Sequence, residues 1–138
     1  MTIQYSVTLR NNQLDQIEGT TGASAKLRLF SGSPPANCAT AASGSMLVDM
    51  ALPSDWMSAA ASGQKAKLGT WTGSGTAAAG AGTNAGYFRI TDSTGATAHM
   101  QGTVTITGGG GDMTLDNTNI AQNQVVTVNT FTITAGNA

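Results

Sequence analysis

Two-residue alternation over the C-terminal third is the feature that most limits what this chain can fold into. Phe88 and Ile90 alternate with Tyr87, Arg89 and Thr91. Met100, Gly102, Val104 and Ile106 alternate with Gln101, Thr103, Thr105 and Thr107. Met113 and Leu115 continue the pattern, and a last run carries Val126, Val128, Phe131 and Ile133. Side chains on a strand point to opposite faces in turn, so each run has one apolar and one Thr-rich face. The runs lack the three- and four-residue apolar spacing of a helix. Adjacent half-buried strands imply an antiparallel sheet that must cover its apolar face with a second layer.

The rest of the chain supplies further strands. Residues 5–10 place Tyr5, Val7 and Leu9 against Ser6, Thr8 and Arg10, which predicts a strand. Asn11 or Asn12 then caps a short helix with Leu14 and Ile17 on one side, stopped at Gly19. Residues 25–30 predict a strand with Leu27 and Leu29 inward and Lys26 and Arg28 outward. Pro34 and Pro35 end it, because proline cannot continue a ladder. The loop through Ala42 is expected at the surface. Residues 45–52 predict a third strand with Met46, Val48, Met50 and Leu52 on one face; Leu47 makes the other face partly apolar. Pro53-Ser54-Asp55 reads as a turn and cap, with one or two helical turns over Trp56–Ala61. A strand over 66–72 carries Leu68 and Trp71. The stretch 73–86, with five Gly and five Ala, reads as a flexible excursion.

Asp92-Ser93-Thr94-Gly95 turns the hairpin 87–107. Gly108–Gly111 is a second turn, expected to be mobile because it has no anchor. In the last run Val126 and Val128 have one parity, and Phe131 and Ile133 the other. Either a β-bulge at Asn129–Thr130 shifts the register, or Val125, Phe131 and Ile133 face one layer and Val126 and Val128 the other. The predicted fold is all-β: one domain over 1–138, a two-sheet antiparallel sandwich of jelly-roll type. It has about eight strands and one or two short helical turns, with a closed barrel as the alternative. The expected core is Leu27, Leu29, Met46, Val48, Met50, Phe88, Ile90, Val104, Ile106, Leu115 and Phe131.

Composition narrows function. Only 9% of the residues are charged and the net charge is -1. A phosphate-backbone partner needs a basic patch, and the six basic residues are scattered, which argues against nucleic acid. Lys26 with Arg28, and Lys65 with Lys67, are expected on solvated strand faces. The single Cys38 excludes an intrachain disulfide framework and reads as a free thiol without catalytic role. Met1–Arg10 lacks the pattern of a signal peptide, and no apolar run reaches membrane-spanning length. These features point to folding in a cytoplasm, with no membrane partner.

Catalytic groups do not converge in the sequence. His99 is the only histidine and lies out of phase with the core positions of its strand. It is expected at the surface, with no nucleophile motif to serve. One His and one Cys cannot supply a zinc site without carboxylates. Asp112 and Asp116, with Asn117 and Asn119, offer oxygen ligands for calcium, but turn formation is the preferred reading. Gly108–Gly111 lacks the Lys-Ser/Thr of a phosphate loop. No enzyme, cofactor or metal is therefore expected. Trp71 is expected in the core. Pro53, Trp56 and Met57 are the candidate partner interface, because aromatic and Met anchors are enriched at interfaces, with packing of Trp56 under the loop as the preferred reading of that residue.

Four stretches carry a resemblance. They are Leu14-Asp15-Gln16-Ile17-Glu18, the run from Ala23 to Gly32, the run from Ala51 to Met57, and the run from Asp116 to Ala121. In this order they resemble the capsid cement, or decoration, proteins of tailed phages. The resemblance implies a jelly roll that sits as homodimers on the outside of a phage head and ties major capsid protein subunits together. It implies no catalytic residues. The alternative expectation is a receptor- or carbohydrate-binding β-sandwich module of a phage tail. An enzyme ranks third.

Overall fold

The computed structural model describes residues 3–136. The chain is β-rich, with ten strands and one α-helix among the described residues.

Helix α1 spans Val7–Thr21. Ser6 caps it, its Oγ accepting a hydrogen bond from Leu9 N at 3.2 Å. Gly22 ends it at φ 89°, where glycine carries no Cβ penalty, and donates its N–H to Glu18 O at 2.8 Å. The strand expected over 5–10 is therefore mostly helix, and neither Asn11 nor Gly19 bounds it. Its alternating residues misled because Tyr5, Val7 and Leu9 are all exposed. Alternation predicts a strand only when one face is buried.

Strands β1 (Lys26–Ser31) and β2 (Met46–Ala51) lie where the sequence places them. The hairpin follows as β5 (Thr83–Thr91) and β6 (Ala98–Ile106). Its turn is held by Asp92, whose Oδ1 accepts hydrogen bonds from Thr94 and Ala96. The main sheet runs β2-β1-β5-β6-β7, with β7 at Met113–Leu115. The short β8 (Asn119–Ile120) pairs the start of β5. Two small sheets join β4 (Trp71–Ser74) to β9 (Val125–Val128), and β3 (Gln64–Ala66) to β10 (Thr132–Thr134).

Several expectations need correction. The strand expected over 66–72 is two strands, β3 and β4, with Leu68 exposed between them and Trp71 buried. Residues 56–61 form no helix; Met57 bridges Lys67 and Ala61 bridges Gln64. The last run is not one bulged strand. It breaks after Val128, so β9 and β10 join different partners and both contribute to one core. The Gly/Ala stretch 73–86 is built into the fold as the end of β4, a 3-10 turn at Ala77–Ala79 and the start of β5. Its small residues permit close backbone approach: a Cβ on Gly75 would meet Ala121 O, and one on Gly86 would meet Gly32 O.

The sheet is not wholly antiparallel. β7 pairs β6 in parallel, Val104 opposite Met113 and Ile106 opposite Leu115. Parallel neighbours ordinarily need a crossover of a dozen or more residues. Here residues 107–112 suffice, with Gly108 and Gly110 at φ 87° and 80°. This return is anchored, against expectation. Gly111 N donates to Thr105 Oγ1 at 2.9 Å, and Asp112 Oδ2 accepts from Thr103 N and Oγ1, both at 2.8 Å.

One core takes residues from the main sheet and from the small sheets. Leu27, Leu29, Val48, Met50, Phe88, Ile90, Val104, Leu115 and Phe131 are buried as expected. Met46 is only half-buried, and Ile106 is 55% exposed at the end of β6. An aromatic chain crosses the centre. Trp56 packs on Trp71 (centroids 6.0 Å), Trp71 on Phe131 (5.6 Å), and Phe131 edge-on to Phe88 (5.6 Å). Each such pair adds about 0.5–1.5 kcal/mol beyond its buried area.

Candidate functional site

The segment offered as a candidate interface faces inward, and Trp56 packs under the loop as preferred. Trp56 and Met57 are buried and belong to the core, and Pro53 is half-buried against Gly69. Trp56 Nε1 donates to Gly22 O at 3.0 Å, and Met57 N donates to Glu18 Oε1 at 3.0 Å. Trp56 therefore anchors the end of α1 to the body and has no surface left to offer a partner. The sequence signal was ambiguous because interface anchors and core anchors are the same residue types.

Lys65 is also inward. It was expected on a solvated face, yet it is 2% exposed. Its Nζ meets Asp15 Oδ1 at 2.8 Å, Glu18 Oε2 at 2.9 Å and Ser58 O at 2.7 Å. Three donors thus have three acceptors, the condition for burying an ammonium group. Burial pulls the Lys65 pKa down, but the hydrogen bonds and charges of Asp15 and Glu18 outweigh it and hold it above the ordinary lysine value. Asp15 is held below the usual carboxylate value, first by Lys65 and then by the Ala60 N–H. Asn11 Oδ1 adds a bond from Gly63 N at 2.8 Å. The helix is docked by polar groups as much as by Leu14 and Ile17.

The most concentrated polar chemistry lies on the outer face of the main sheet. Gln101, Arg89, Arg28 and Asp49 are successive register partners across β6, β5, β1 and β2. Arg28 reaches Asp49 through Nε (3.1 Å) and Nη2 (3.4 Å), and Gly95 O through Nη1 (2.9 Å). Lys26 shares the same carboxylate at 3.7 Å. Arg89 is buried. Its Nε donates to Gln101 Oε1 (3.1 Å), and its Nη2 donates to Thr40 O (2.7 Å) and Asn37 O (3.3 Å).

The loop 32–44 is strapped across this face. Besides Arg89, Gln101 Nε2 donates to Pro35 O at 2.7 Å, and the Tyr87 hydroxyl donates to Ser43 O at 2.6 Å. Phe30 stacks on Tyr87 beneath it, centroids 5.0 Å apart and 11° from parallel. Between the strap and the hairpin turn is a cavity of about 220 Å³, lined by Arg28, Arg89, Cys38, Thr40, Thr91 and Ala96 among others. Cys38 is a half-buried free thiol. Sequence reading paired Arg28 with Lys26 by proximity; the cross-strand meeting of Arg28 and Arg89 appears only once the register is fixed.

The remaining candidates do not converge. His99 is exposed, beside a shallow groove with Gln13, Gln16, Ile17 and Thr20. Among the described residues no three His, Cys, Asp or Glu side chains are grouped as metal ligands. Asp112 is engaged with Thr103, while Asp116 accepts from Thr107 (3.3 Å) and Asn129 (2.8 Å). Asn117 Oδ1 accepts from Asn119 N, closing a turn. No described helix is long and apolar enough to cross a membrane. No protein-family model, curated protein or solved structure matches this chain.

Proposed function

We propose that this chain is a structural virion protein: a capsid cement, or decoration, protein that binds the outside of a phage head and stabilises the lattice of major capsid protein. The observation that carries the reading is where the resembling stretches meet. The stretch from Leu14 to Glu18 lies in α1, that from Ala23 to Gly32 in β1, and that from Ala51 to Met57 at the end of β2. They join at one junction through Met57 N on Glu18, Ser24 N on Ser54 O (3.4 Å) and Leu52 N on Ala25 O (2.9 Å). Three of the four resembling stretches therefore build one tertiary unit, while the fourth, from Asp116 to Ala121, lies apart in and around β8.

A two-layer, jelly-roll arrangement is the architecture that goes with this reading. Its two-layer part is supported by Trp71, Val126 and Val128 of the small sheets sharing one core with Leu27, Leu29 and Phe88 of the large one. The mechanism is added interface: each copy touches several subunits, and repeated weak contacts add through effective concentration. Self-association as a two-fold dimer is part of the proposal. The rival carbohydrate-binding reading keeps only Tyr5 as an exposed aromatic, because Trp56, Trp71, Phe30, Phe88, Phe131 and Tyr87 are all buried.

The test is add-back. Purified heads lacking the protein should bind it and then resist heat better. Heads that neither bind it nor gain heat resistance would remove the cement reading. Sedimentation of the protein alone should show a species heavier than 13.9 kDa.

A further inference from the structure

We propose that the cavity beneath the strap loop is a binding site for a small oxyanion, a carboxylate or a phosphate group. The inference stands apart from the capsid reading.

Charge carries the argument. Arg28 and Arg89 are directly opposite on neighbouring strands, an arrangement that repels unless it is compensated. Asp49 compensates Arg28 but is shared with Lys26, so three cations stand against one carboxylate. Asp92, in the adjoining turn, spends its Oδ1 on Thr94 and Ala96 and does not line the cavity. Among the described residues no carboxylate pairs with Arg89. Its partners are a side-chain amide and two backbone carbonyls, all neutral.

Burying a guanidinium against neutral acceptors alone is costly, and a loop could be tethered as well by a neutral donor. One nitrogen also remains unused. Nε and Nη2 of Arg89 are engaged, whereas Nη1 makes no hydrogen bond among the described residues, and the side chain lines the cavity. An anion seated there would receive that donor, and a carboxylate or phosphate is the acceptor a guanidinium suits best. At about 220 Å³ the space admits either group.

Cys38 lines the same cavity and is the only cysteine, so its alkylation reports occupancy directly. The rate of reaction with iodoacetamide, a neutral reagent, is measured in chloride, inorganic phosphate and acetate at matched ionic strength. A blocking ligand slows the reaction by one plus its concentration over Kd, so ten times Kd gives about tenfold. Slowing by phosphate alone assigns a phosphate group, and slowing by acetate assigns a carboxylate. Equal rates in all three salts overturn the proposal.

Arg89→Gln should abolish the slowing. Should that variant not fold, Ala96→Glu decides, because Ala96 is exposed at the cavity and its replacement supplies a competing carboxylate. Undiminished protection in Ala96→Glu would equally overturn the site.

Discussion

Removing the acids around Lys65 should be worse than removing Lys65 itself. The double substitution Asp15→Asn with Glu18→Gln keeps the shape of the dock but strands an ammonium group that is 2% exposed. Breaking a buried pair by removing one partner costs roughly 3–5 kcal/mol. Ser58 O stays in place, and the acid side chains are themselves 47% and 23% exposed, so water reaches the site once it loosens. The expected outcome is therefore a loss of stability smaller than that of a fully buried pair, read as a fall in Tm of several degrees. Adding Lys65→Met to that background removes the stranded charge and should return half or more of the loss. Urea denaturation of the wild type, the double variant and the triple variant measures it. If Lys65→Met destabilises the double variant further, the argument that a stranded charge dominates is wrong. The dock also has a pH window. The lowered pKa of Asp15 means its contribution is present above the ordinary carboxylate value and lost as pH falls through the lowered one. The raised pKa of Lys65 means its contribution is complete below 10.5 and lost as pH rises through the raised value.

Trp56→Ala should cost about 3–5 kcal/mol, because it empties a fully buried indole site and breaks the bond to Gly22. Any loss of capsid binding in that variant should follow the unfolded fraction measured by circular dichroism; a fully folded Trp56→Ala protein that fails to bind would reinstate the loop as a contact. Asp112 is held below the usual carboxylate value, first by the Thr103 N–H and then by its hydroxyl. The stability gap between wild type and Asp112→Asn should be full above the ordinary carboxylate value and close as pH falls through the lowered one. A gap that does not change between pH 7 and pH 2 would show that the carboxylate charge is not what anchors the return to Thr103.

The main sheet was readable because its apolar core residues recur every second position, Leu27 and Leu29 in β1 and Phe88 and Ile90 in β5, although β5 is buried on its other face as well by the strap loop. Only the second half of helix α1 was foreseen, and its length was missed because its docking face is partly polar. Asn11, Asp15 and Glu18 make the contacts, so the apolar stripe that marks a helix is reduced to Leu14 and Ile17. The Gly/Ala stretch was misread because absent side chains were taken for absent packing. Gly75 and Gly86 are small because backbone passes where a Cβ would be. The Arg28–Arg89 cavity is a product of register, which a single strand pattern does not state.

The order of strands has a consequence for assembly. One margin of the main sheet is β2, whose Met46–Val48 half is taken by Thr76 N on Leu47 O, Thr76 Oγ1 on Met46 O and the bridge from Val48 to Gly75. The other margin is β7, three residues long, with Asp116 just beyond it bonded to Asn129 after β9. These two margins leave no long row of unpaired amides and carbonyls, whereas the Ala98–Gly102 part of β6 lies beyond the reach of β7 and has no strand on its outer side among the described residues, which is the template on which a foreign strand would extend the sheet. A second copy would find most of the sheet's margin closed and that one stretch of ladder open to it. Strand addition to the main sheet is thereby confined to a stretch that lies beside the groove between α1 and His99.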